Sequence, residues 1–262
     1  MNRFFLIFFI YLFIVNSHSI DLNLPASALQ NATNGLILTK IMPSSVIQNP
    51  AVIKTGIETS ISYLYNLSEL PYYNFSSGFR FKKFTISLNS NLLNHQFYKE
   101  NIASLGVNYQ VKNITMGISS RFLYNSVENY HSFSKFVFDA GVLYERGEVS
   151  TAFAMKNITQ TDFFDTPLPI FFLWESNYKI SQASNISIGL EKQQDFYFSF
   201  KMATIYTFFD VFSLISSYQY NPERLGAGAL IKIKNYEIIY SIRSHKYLSL
   251  THYISFCYAF KK

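Results

Sequence analysis

Charged side chains make up only 15% of this 262-residue sequence. Beyond residue 56 they recur singly, on the polar side of two-residue alternations. Glu58, Arg80, Lys82, Arg121, Asp139, Glu145, Glu175, Lys179, Glu191, Lys201, Lys232, Lys234, Glu237 and Arg243 all stand in that way. Both signs are mixed, which fits a paired, hydrated lining better than a strongly ion-selective path. Other chemistry finds little support. His95, His131, His245 and His252 make no i, i+2 or i, i+4 pair with one another, so no zinc site is expected. Serine and asparagine are so frequent that a Ser–His pair with a third polar residue can be drawn by chance, which carries no hydrolase signal. There is no Gly-rich phosphate loop and no acidic calcium loop of EF-hand spacing. The sequence therefore reads as a non-enzyme with no catalytic residue, metal or cofactor. Its net charge of +6 is scattered without a basic stripe, which argues against nucleic acid as a partner.

The elements that carry these charges are strands. The last stretch, Leu248 to Phe260, reads LSLTHYISFCYAF. Leu248, Leu250, Ile254, Phe256, Tyr258 and Phe260 share one face with His252, and small or polar residues fill most of the other. Such period-two alternation is the mark of a strand with one apolar face. It recurs from Ile57 onward with no helical stretch to cover it, and an apolar face that lacks protein cover faces lipid. Strands are expected near 57–66, 73–82, 84–92, 102–111, 114–124, 136–145, 149–156, 170–180, 185–192, 196–203, 209–220, 225–234, 236–243 and 248–260. The two longest connections, 125–135 and 157–169, fall in the same alternate class. Long loops at one end and short turns at the other are the asymmetry of a membrane barrel. The expected fold is all-β, a transmembrane antiparallel up-and-down barrel of about 14 strands. A soluble β-sandwich is the competing architecture.

The N-terminus reads differently. A short basic start, an apolar run from Phe4 to Val15 and the small residues before Ile20 predict a secretory signal peptide over 1–19. That run is shorter than the ~20 residues a membrane helix needs. Residues 20–56 show no sustained alternation and are punctuated by Pro25, Gly35, Pro43 and Pro50, which predicts an irregular leader placed to plug the lumen. The barrel proper then spans 57–262.

Two stretches resemble known proteins. Phe256, Tyr258 and Phe260, on the lipid side of the final strand, resemble the C-terminal signal by which bacterial outer-membrane barrels are recognised for insertion. Lys261 and Lys262 extend past the usual terminal aromatic. The resemblance implies the outer membrane of a Gram-negative-type bacterium, with outer-membrane lipid and the barrel-insertion machinery as partners. Asn49-Pro50-Ala51 resembles the motif preceding the barrel in FadL-type fatty-acid transporters and PorV/PorQ-type outer-membrane proteins. The ending from Pro222 through Gly228, Tyr240, His245 and His252 to Phe260 is similar to that broader group, whose barrels have 14 strands. Here Met42–Gln48 replaces the family's Gly- and Asp-rich run, and Val52 its following glycine. The resemblance implies a passive conduit for small hydrophobic or amphipathic solutes, with Asn49, Pro50 and Ala51 as a hatch. The loops 125–135 and 157–169, with Phe133, Phe163, Phe164, Pro167 and Pro169, would form the outer mouth. It also implies an alternative, an accessory component of a type IX secretion system whose loops contact secretion-system proteins.

Overall fold

Fourteen strands close into one antiparallel ring in the computed structural model, which describes residues 24–129, 132–163, 166–194 and 196–260. The predicted signal peptide, His131, Phe164 and the two terminal lysines lie outside the described residues. The wall consists of β1 Gly56–Tyr63, β2 Pro71–Phe81, β3 Phe84–Asn94, β4 Tyr98–Val111, β5 Ile114–Val127, β6 Ser132–Arg146 and β7 Val149–Lys156. It continues through β8 Phe171–Lys179, β9 Ser184–Gln193, β10 Ser199–Phe208, β11 Phe212–Tyr220, β12 Arg224–Ile233, β13 Tyr236–Arg243 and β14 Thr251–Ala259. Neighbours in sequence are neighbours in the ring, and β1 pairs β14 from Gly56–Ala259 to Tyr63–His252. That ladder closes the ring between the first strand and the last, the condition for strands to cross a bilayer.

Burial follows the alternation. On β14, Tyr253, Ser255 and Cys257 are buried, while Ile254 and Phe256 are exposed on the outer side. On β4 the outward residues from Ala103 through Leu105, Val107 and Tyr109 to Val111 are all apolar or aromatic. At ~3.4 Å per residue this band is about 27 Å along the strand, or roughly 20 Å along the normal at the usual tilt. Lys99 and Asn101, also outward, lie above it.

The structure moves several boundaries. β4 begins at Tyr98 rather than 102, and β5 and β6 run to Val127 and from Ser132, so most of the expected loop 125–135 is strand. Strand β10 covers 204–208, which the alternation assigns to a turn, and the turn is 209–211 instead, with Phe209 and Asp210 at positive φ. The last strand starts at Thr251, not 248. The leader is not wholly irregular, since it holds a short helix, α1 Ala28–Ala32, and a 3-10 turn at Pro43–Ile47. The first strand ends at Tyr63 rather than 66. The chain turns in at Leu64–Asn66, Tyr65 takes a positive φ, and its ring packs partly against the inner cluster.

One part of the wall is irregular. β7 pairs only the lower half of β6, from Ala140 to Arg146. Above it the connection 157–170 lies along the free flank of β6. Ile158 N–H donates to Phe138 C=O at 2.9 Å, and Thr161 Oγ1 donates to Phe136 C=O at 3.0 Å. Within the connection, Asp162–Phe163 pairs Thr166–Pro167. Asn157, at positive φ, binds it together by donating from Nδ2 to Leu168 C=O at 2.8 Å.

A closed ring of this kind resists detergent when cold. The unheated protein is expected to migrate faster than the boiled protein on a denaturing gel. Equal mobility would mean that the outward apolar faces meet each other in a soluble sandwich.

Candidate functional site: the occupied lumen

The chain's own leader fills the ring. Residues 24–55 are almost entirely buried and touch inward-facing residues around the wall. Ser27 caps α1 by accepting from Gln30 N–H, and the helix lies against β12, β13 and β14. Ala28 N–H donates to Ser255 Oγ at 2.8 Å, Asn31 Nδ2 to Ser241 Oγ at 3.1 Å, and Asn34 Nδ2 to Ser217 Oγ at 2.9 Å. Tyr253, on the inner face of β14, donates its hydroxyl to Pro25 C=O at 2.8 Å.

Two predicted lumen carboxylates then hold the segment from opposite walls. Glu175 on β8 accepts from Ile37 N–H at 2.8 Å and Leu38 N–H at 2.7 Å, one bond to each oxygen. Glu58 on β1 accepts from Ser44 N–H at 2.9 Å. β1 and β8 are seven strands apart in the ring of 14, so the segment crosses the lumen between Leu38 and Ser44. A third carboxylate, Glu237 on β13, takes Lys40 at 3.0 Å and Lys54 at 3.9 Å. These contacts give the inward acids a definite task. They satisfy backbone amides and lysines of a buried segment that would otherwise lose water without replacement.

The predicted hatch lies against the far wall. Asn49 folds back on itself, with Oδ1 accepting from Ala51 N–H at 2.9 Å, while Nδ2 donates to Phe153 C=O at 3.1 Å. Ala51 C=O accepts from Asn108 Nδ2 at 3.1 Å. The turn fits only because two facing wall positions have no side chain. A Cβ on Gly117 would strike the backbone of Pro50, and one on Gly141 would strike the side chain of Asn49. Glycine inside a strand commonly marks close approach of another backbone. That signal was present in the sequence and could have located the turn's seat.

The other predicted residues divide. Arg121 and Asp139 are brought together as a buried pair, Nε to Oδ2 at 2.7 Å and a second terminal nitrogen to Oδ1 at 2.7 Å. Asp139 also accepts from Asn157 N–H at 2.8 Å, so the pair anchors the connection after β7. Arg80 sits at the end of β2, donating to Gln110 Oε1 at 2.9 Å. Lys82 is in the turn beyond it, its ammonium over the outward ring of Phe81, rather than in the lumen. Arg243 lies at the opposite end. Phe256 is outward, and Phe260, just past β14, packs its ring at 5.6 Å from Phe79 and 5.9 Å from Tyr258.

Open spaces remain around the segment. At the loop end a cavity of about 240 Å³ is lined by Asn34, Gln48, Glu191, Lys201, Arg224 and Arg243, among others. At the turn end a second, also about 240 Å³, is lined by Ala51, Val52, Arg80, Asn108, Glu145 and neighbours. A small void of about 30 Å³ lies between Leu36, Ile37, Gln48, Asn49 and Glu175. It shares Gly35, Gln48, Glu191 and Lys201 with the loop-end cavity. The barrier between the ends is thus the segment itself, at 36–38 and 48–51. Arg224, Lys40 and Lys54, which line or neutralise the two ends, were not singled out by the sequence because they stand outside its clean alternations.

Two substitutions test these anchors. Glu175→Leu strands two amides and is expected to cost about 1–3 kcal/mol, with Glu175→Gln costing less, by unfolding in detergent micelles. Arg121→Ala leaves Asp139 buried without its cation and is expected to cost about 3–5 kcal/mol. The Arg121→Ala/Asp139→Ala double variant should lose less than the sum of the singles, and additivity would show that the pair is not coupled.

No protein-family model matches the chain, and no curated protein matches it. Solved structures do. A monoaromatic hydrocarbon channel, CymD, superposes with a TM-score of 0.68 at 9% identity, covering 93% of this chain and 100% of that one. A FadL homologue from Pseudomonas aeruginosa superposes with a TM-score of 0.63 at 9% identity, covering 90% and 98%. At such identity the likeness is one of fold: this chain shares the closed β-barrel of those structures over nearly their whole length.

Proposed function

We propose that the protein is a passive outer-membrane conduit for small hydrophobic or amphipathic solutes, closed in this conformation by its own leader. The observation that carries the reading is the arrangement of two cavities of about 240 Å³, one at each end, with leader residues 36–38 and 48–51 between them. A barrel whose interior served only as a packed core would have no use for spaces at both mouths. The likeness in fold to CymD, a monoaromatic hydrocarbon channel, supports the reading. Under the usual asymmetry of short periplasmic turns and longer outer loops, the turn end faces the periplasm and the loop end the outside. Solute enters from the loop end, and the Asn49–Ala51 turn moves to join the cavities. No residue forms or breaks a bond in this process. The secretion-accessory alternative rests on the same sequence resemblance and has no counterpart among these neighbours.

Removing residues 20–50 behind an intact signal peptide is expected to raise uptake of a hydrophobic dye several-fold in cells or proteoliposomes. Unchanged uptake by a correctly inserted, heat-modifiable barrel would overturn the conduit.

A further inference from the structure

We infer that the turn end of the barrel is a docking surface for anionic phospholipid headgroups. It is built from lysines that stand far apart in the sequence and are gathered by the topology. Lys82 and Lys83 form the β2–β3 turn, Lys112 opens the β4–β5 turn, Lys179 ends β8 and Lys234 opens the β12–β13 turn. All of them are exposed. Gln110 ties the first two hairpins together, its N–H donating to Lys83 C=O at 3.1 Å and its Oε1 accepting from Arg80 at 2.9 Å. None of these lysines makes an ion pair with a carboxylate among the described residues. The acids of that end are local. Glu145 and Glu148 share a hairpin with Arg146, Asp210 sits in the β10–β11 turn, and Glu237 is taken by Lys40 and Lys54. The loop end differs, because exposed Glu69, Glu128, Asp162 and Glu223 stand in or beside its connections.

A surface of one sign attracts counter-charge, and the depth of these lysines picks its source. Each lies between exposed apolar side chains at the edge of the lipid-facing band. Phe81 and Phe84 flank Lys82 and Lys83, and Val111 and Ile114 flank Lys112. Tyr178 and Ile180 flank Lys179, and Ile233 and Tyr236 flank Lys234. Lys82 lays its ammonium 5.8 Å from the centroid of the Phe81 ring. At ~3.4 Å per residue, each ammonium therefore starts within about 3–7 Å of a side chain that meets lipid. That is the layer of headgroup phosphates. A lysine stem covers apolar surface there while its charge stays in the polar layer. A soluble acidic protein would have to displace lipid to reach the same ammoniums. The assignment does not depend on what the lumen carries.

The test places the whole barrel in phosphatidylcholine vesicles with trace spin-labelled phosphatidylglycerol or spin-labelled phosphatidylcholine. The immobilised fraction of each label reports which lipid the protein retains at its surface. Phosphatidylglycerol is expected to be retained at least about twofold over phosphatidylcholine, since each lysine near an anionic headgroup contributes to the attraction. The preference should shrink in about 0.5 M salt, where exposed charges are screened. The combined variant Lys82→Asn/Lys83→Gln/Lys112→Asn/Lys179→Gln/Lys234→Asn should abolish it. Asparagine is chosen at the three positions with positive φ because it tolerates that conformation. A loop-end control, Lys99→Gln/Lys135→Gln/Lys246→Gln, should keep the preference, and both variants should keep heat-modifiable mobility. Equal retention of the two lipids by the native protein would overturn the assignment and leave the basic end to a soluble acidic partner. A preference that survives the turn-end variant, or that the loop-end control removes equally, would overturn it as well.

Discussion

A strand that crosses lipid cannot leave its amides and carbonyls to water, so the wall must close on itself. Closure here is the β1–β14 ladder, joining the first strand after the leader to the last strand of the chain. It fixes much else. With 14 strands the ring is too wide for side chains alone to fill, since about eight strands is the size at which they do. The interior must then hold water, a ligand or more chain. In this protein it holds residues 24–55, and the inward face is written for that occupant.

Ile205, Ile215, Leu230 and Ile239 point into the ring and are buried, an apolar quarter that a water-filled pore would leave wet. They form one cluster with Leu29, Ala32 and Met42 of the leader. Elsewhere the wall offers acceptors, Glu58 and Glu175, at the places where leader amides arrive, and glycines where its backbone comes too close for a Cβ. At these contacts wall and leader are complementary in polarity and shape.

How much of this could be read beforehand follows from the range of each interaction. Strand identity depends on alternation within a few residues, and Ile57–Ser62 or Phe84–Asn91 show it plainly. Boundaries failed where a strand leaves the lipid: at Lys99, Glu100 and Asn101 both faces are polar, so the alternation fades although the ladder continues. They failed again at Phe209, an aromatic at a turn tip that is 95% exposed, where Asn or Gly would have announced the turn. The placement of the leader was out of reach. Glu175 meets Ile37 across 138 residues, and no local pattern encodes that meeting. What the sequence did carry was the punctuation at Asn49-Pro50-Ala51 and the inward glycines of β5 and β6.

The two halves of the leader are not held equally, and magnitudes say which one can move. Freeing α1 and Met42 would expose Leu29, Met42 and the apolar quarter beneath them. Each fully buried side chain of that kind is worth about 1.5–3 kcal/mol. The turn at 49–51 is held differently. Asn49 and Ala51 each make one hydrogen bond to the wall, and the side chains seated there are small. A hydrogen bond that water can replace contributes a net of only about 0.5–1.5 kcal/mol. The bare backbone at Gly117 and Gly141 gives the turn a close fit, and its apolar anchor, Ala51 beside Leu143 and Ala152, is smaller than Leu29 and Met42. The helical half therefore serves as the fixed part of the closure, and the Asn49–Ala51 turn as the part whose displacement costs least.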